Sequence, residues 1–158
     1  MVIHMTRRPA AQDSDPNAFR RILVPIPSER FPRAAVERGM ELAAKFGSEL
    51  IMLYIIEDNV ISRLDHAAEM VLTQTQREEM ESKLVEQQRE EAEKIHFIRV
   101  KQLANTRHVD FRKYIRKGKF GKEISKLIRE EDADLVVMEL NDDTILKYKI
   151  VDNCPVPL

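Results

Sequence analysis

The stretch Arg21-Ile22-Leu23-Val24-Pro25-Ile26-Pro27-Ser28-Glu29-Arg30, followed from Arg33 by Ala34-Ala35-Val36-Glu37-Arg38-Gly39-Met40-Glu41-Leu42-Ala43, decides the fold. After Arg21 the first segment is apolar without alternation, the pattern of a strand buried on both faces. Pro25 and Pro27 supply no ladder N–H, so this strand is expected to end near Ile26. A helix follows from about Pro32 to Phe46, with Val36, Met40, Ala43 and Ala44 as its apolar stripe. Ser28 and Glu29 suit its entry, Pro32 its first turn, and Gly47 its C-terminal cap. Leu50 to Ile56 is then a second buried strand, and strand–helix–strand implies a right-handed parallel unit.

Working outward, residues 1–18 mix Pro, Asp, Ser, Asn and Arg without periodicity and read as a flexible extension to a domain spanning 19–158. The segment Asp58 to His108 reads as helix in two pieces, about Val60 to Thr73 and Gln76 to Asn105. In the second piece Met80, Leu84, Gln88, Ala92, Ile95 and Ile98 recur at helical spacing, with a solvated, charged remainder. Val109 to Arg116 alternates Phe111 and Ile115 with charges, as an edge strand does. Phe120 to Glu131 is an amphipathic helix with Ile124, Leu127 and Ile128 inward, and Asp134 to Met138 a further buried strand. Alternating strands and helices point to an open parallel sheet covered on both faces.

Composition narrows the function classes. The 158 residues fit one domain, and 43% apolar with 34% charged is an ordinary globular mixture. A formal net charge of -1, no Trp and few aromatics give no global signal for nucleic acid. No apolar run approaches the roughly 18 residues of a membrane span, and Arg7, Arg8, Pro9 and Asp13 interrupt any signal-peptide core. Cys154 is the single cysteine, so no intrachain disulfide forms, and a cytoplasmic protein is the expectation. His4, His66, His96 and His108 lack metal-ligand spacing and read as surface or helix-face residues.

Three places carry a family resemblance. The opening segment quoted above is the first. The second is Gly118-Lys119-Phe120-Gly121-Lys122-Glu123-Ile124, with Glu131-Asp132-Ala133-Asp134-Leu135-Val136-Val137-Met138 after it; the third is Asn153-Cys154-Pro155-Val156. In this order and spacing the chain resembles the universal stress protein (UspA-like) family from Phe19 to Leu158. The resemblance implies an α/β fold of the adenine-nucleotide alpha-hydrolase-like kind. That is an open parallel five-stranded sheet with helices on both faces, often dimeric through the last strand. That strand looks short or incomplete here, since only Val156, Pro157 and Leu158 follow Pro155.

The ATP-binding branch of the family places an acidic residue after the first strand, backbone contacts after the second, and a Gly-x2-Gly-x9-Gly-Ser/Thr loop after the fourth. Glycines let backbone N–H groups close on phosphate. Here Pro27 stands at the acidic position, Met138 is followed by Glu139-Leu140-Asn141-Asp142-Asp143, and no glycine follows Gly121. The expectation is therefore a non-catalytic stress-response module with a degenerate nucleotide site, acting through a protein partner, a second copy of itself or a small ligand. It needs no cofactor, no metal, no nucleic acid and no membrane. If a ligand binds, Pro27, Ser28, Ile56, Glu139 and Asn141 are the candidate contacts. The alternative is an ATP- or AMP-binding member with a non-standard phosphate loop. The cations Arg99, Lys101, Arg107, Arg112, Lys113, Arg116, Lys117, Lys119 and Lys122 read as a protected edge, with strand alternation dividing them between two faces.

Overall fold

The computed structural model describes residues 2–6, 19–28, 30–58 and 72–139, with the backbone alone over 2–6. Along the chain run β1 (Val2–Thr6), β2 (Arg21–Pro27), α1 (Arg33–Phe46), β3 (Glu49–Glu57), α2 (Gln74–Glu91), a π turn (Ala92–His96), α3 (Phe97–Arg107), β4 (Phe111–Gly118), α4 (Phe120–Glu131) and β5 (Leu135–Glu139). The sheet order is β1-β5-β2-β3-β4. β2, β3, β4 and β5 are parallel, and β1 lies antiparallel on β5 with His4 opposite Val137.

Two expectations are corrected here. Among the described residues four strands are parallel rather than five, and the fifth member of the described sheet is β1, from the segment read as flexible. Composition hid this strand, because the partner that organises Val2–Thr6 is Leu135–Glu139, at the other end of the described chain. The expected last strand, nearly all of the first helical piece (60–71), Asn141 and Cys154 lie outside the described residues.

β2 and β3 are buried on both faces because each face has its own core. Ile22, Val24, Ile26, Leu50, Met52 and Tyr54 pack with Val36 and Met40 of α1 and with Phe97 and Val100 of α3. Leu23, Ile51, Leu53 and Ile55 pack with Phe120, Ile124, Leu127 and Ile128 of α4. Burial at about 25 cal/mol per Å² makes these layers the main source of stability. At the base of the sheet Asp134 Oδ2 accepts from the backbone N–H groups of Arg20 (2.8 Å) and Arg21 (3.1 Å), joining the starts of β2 and β5.

Helix ends follow local chemistry. Gly47 closes α1 in the left-handed region at φ 64°, as expected. Pro32 occupies the N-cap of α1, not its first turn, with no side-chain capping hydrogen bond among the described residues; Glu29 lies outside them. Thr73 and Gln76 form a reciprocal capping box at the start of α2.

The long helical stretch corrects the expected apolar face. Ala92 is buried, but Ile95 and Ile98 are 45% and 48% exposed, and Met80 41%. The inward residues beyond Ala92 are His96, Phe97, Val100 and Ala104. Four-residue spacing drifts by about 40° per step on an α-helix of 3.6 residues per turn. The wider π turn at Ala92–His96 absorbs that drift and turns a different stripe toward the sheet.

Candidate functional site

The candidate crevice lies where the strand order reverses, between β5 and β2. β2 pairs with β3 over seven residues, Arg21 to Pro27, but with β5 over two, Ile22 and Leu23. Pro25 and Pro27 have no N–H to extend the second ladder, so β2 and β5 part toward their carboxyl ends. This is the topological switch point, where open α/β sheets receive ligands.

The structure brings four of the five candidate residues to the sheet's carboxyl ends. Pro27 and Ser28 are half-buried at the end of β2, and the Ser28 Oγ is buried with no hydrogen-bond partner among the described residues. Ile56 is buried near the end of β3. Glu139 is half-buried at the end of β5. Asn141 lies outside the described residues.

Sequence reading missed the residue that joins them. Arg30, in the loop after β2, reaches across the crevice and pairs with the carboxylate of Glu139. Their positions differ by 109 in the chain, and nothing local marks Arg30 as a partner. Glu57 was missed as well; this acid is only 2% exposed at the end of β3.

Beside the crevice lies an aromatic stack, also unforeseen. His96 is buried, against the surface reading of the histidines, and its ring lies 5.4 Å from Phe31 at 3° and 5.5 Å from Tyr54 at 27°. The Tyr54 hydroxyl donates to Gln88 Oε1 at 2.8 Å. Burial, reinforced by the Glu91 carboxylate, pushes the phenol above its ordinary range. Burial pushes the His96 imidazole below 6.5, against the opposing pull of Glu91.

The cations on β4 are divided as alternation predicts. Arg112 and Arg116 pair with Glu131 and Glu130 of α4 on one face, and Lys113 and Lys117 with Glu93 and Glu81 on the other. Paired in this way, they do not form one basic surface. A hollow of about 500 Å³ lies between α3 and β4, lined by Phe97, Ile98, Lys101, Ala104 and Phe111 among others. Among the described residues no group of three His, Cys, Asp or Glu is placed to hold a metal ion, and no helix is long and apolar enough to cross a membrane.

A parallel α/β sheet with a core and helices on each face belongs to the doubly wound class of open-sheet folds. The profile of the universal stress protein family matches residues 18–147, and the chain belongs to that family. Among solved structures it is similar to the universal stress protein UspA from Lactobacillus plantarum, at 19% identity and TM-score 0.64, covering 87% of this chain and 93% of that one. It is similar also to a universal stress family protein from Burkholderia pseudomallei, at 20% identity and TM-score 0.64, with the same coverage. At these identities the likeness concerns the fold. No curated protein matches the chain at a significant level.

Proposed function

We propose that this universal stress protein is a non-catalytic, cytoplasmic regulatory module whose nucleotide crevice is degenerate, and that it acts by binding a protein or a small ligand. The Arg30–Glu139 pair carries the reading. It spans the parting of β2 and β5, where a nucleotide would enter, and it sets a carboxylate where phosphate would be repelled. Pro27 offers no side-chain acceptor for a base or ribose, and no glycine follows Gly121 to let backbone close on phosphate. Among the described residues no base is hydrogen-bonded to the Ser28 hydroxyl, and nucleotide hydrolysis is expected at background.

A second reading has its own support. Ser28 Oγ lacks a partner among the described residues, and Arg30, if released from Glu139, is a bidentate phosphate ligand. That would make an ATP- or AMP-binding member with a non-standard loop. Thermal unfolding with Mg-ATP, ADP and AMP separates the two. A ligand at about 100 times its dissociation constant adds roughly 2.7 kcal/mol. For a chain of this size that raises the midpoint by about 5–10 °C. We expect no rise. A rise of that order with any nucleotide refutes the degenerate site.

A further inference from the structure

His96 closes the π turn between α2 and α3, and both its ring nitrogens are buried without a hydrogen-bond partner among the described residues. A neutral imidazole in that position leaves one N–H unsatisfied. An imidazolium leaves two, together with a buried charge, and contact with two ring faces offsets only part of that. The neutral ring therefore suits the slot between Phe31 and Tyr54, and the protonated ring does not.

The groups around it define where the charged ring would go. On the helical side, Glu91 Oε1 is 3.8 Å from His96 Nε2 and partly exposed. Arg99 lies over the Phe31 ring, 5.9 Å from its centroid, and opposes protonation. From β3 comes the Tyr54 phenol, engaged with Gln88. From the loop before α1 comes Phe31, preceded by Arg30 on the crevice. Burial holds the ring below 6.5, so its titration falls on the acid side of neutrality.

We propose that His96 is a proton-operated latch: the neutral ring holds the Arg30–Phe31 segment against the end of the sheet, and protonation withdraws it toward Glu91 and releases that segment from the crevice. The π turn supplies the slack, since it already carries one residue more than an α-helical turn needs. The consequence for the crevice rests on the reading under Proposed function; the latch itself does not.

The Arg33 N–H donates to the Phe31 carbonyl and the Val36 N–H to the Pro32 carbonyl, each at 3.0 Å, so these two amides report the segment directly. The experiment is amide hydrogen exchange on the whole chain between pH 7.5 and 5, corrected for intrinsic rates, in wild type and His96→Phe. Wild-type protection at Arg33 and Val36 is expected to fall as pH drops below 6.5, by up to tenfold per pH unit for one proton. In His96→Phe it is expected to stay flat. An identical fall in the variant, or a flat wild type, overturns the latch. The ring titration of His96 by NMR in wild type is the second measurement, independent of whether the variant folds. Its midpoint must match the loss of protection, and a separate midpoint overturns the proposal. A Mg-ATP midpoint rise at pH 7.5 would remove the degenerate-site reading and leave this test standing.

Discussion

Replacing Gly39 with alanine tests the packing of α1 on the sheet. A Cβ built there meets Val24 Cγ2 at 2.6 Å and Leu50 Cδ1 at 3.5 Å. The first distance is far inside carbon–carbon contact, and Val24, fully buried in β2, is a stiff β-branched side chain. Overpacking of this kind costs about 1–3 kcal/mol. Alanine returns about 1 kcal/mol of helix propensity over glycine. Gly39→Ala should therefore destabilise by about 1 kcal/mol net, lowering the thermal midpoint by roughly 2–4 °C. The control is the double variant with Val24→Ala, which removes the clashing methyl. Urea denaturation of the four proteins should give a favourable coupling of about 1–2 kcal/mol. A Gly39→Ala protein more stable than wild type, with no coupling to position 24, would refute the close approach of helix and strand.

Other outcomes follow from single contacts. Glu139→Ala removes the carboxylate across the crevice; we expect thermal midpoints still indifferent to Mg-ATP, whereas a nucleotide response in this variant alone would show that Arg30 is a latent phosphate ligand. Glu131 accepts from the Tyr114 hydroxyl and from Arg112, and the Tyr114 bond is the leading cause holding its carboxyl below the ordinary range. A depressed carboxyl stabilises the fold above its unfolded value, and the gain is lost as pH falls through the folded one. Glu131→Gln should cost about 1 kcal/mol at pH 7 and flatten the acid limb of a stability–pH curve; an unchanged limb would be the contrary result. His108 ends α3 in the left-handed region at φ 54°, so His108→Gly should raise stability by about 1 kcal/mol, measured by chemical denaturation.

The strands and helices were legible where one local rule sufficed. β2, β3 and β5 are unbroken apolar runs, and α4 carries a clean stripe at Ile124, Leu127 and Ile128. Two elements escaped for different reasons. β1 has no pattern of its own strong enough to stand out, and only its pairing with β5 makes it a strand. The apolar face after Ala92 was assigned as the continuation of one regular helix, and one π turn rotates everything beyond it, leaving Ile95 and Ile98 outside and His96 within.

For the site, the family resemblance implied what is missing: an acid at Pro27 and glycines after Gly121. These are statements about single positions, and a sequence determines them outright. What stands in the crevice instead is the Arg30–Glu139 pair, with the Phe31–His96–Tyr54 stack beside it. Each joins residues from elements far apart in the chain, with no periodicity or spacing to link them. The sequence alone determined the parallel α/β elements, because burial and backbone hydrogen bonding act on neighbouring residues, and its motifs carried the family resemblance. Only the tertiary structure decided which charge meets which and which ring is desolvated, because those energies depend on distances through space.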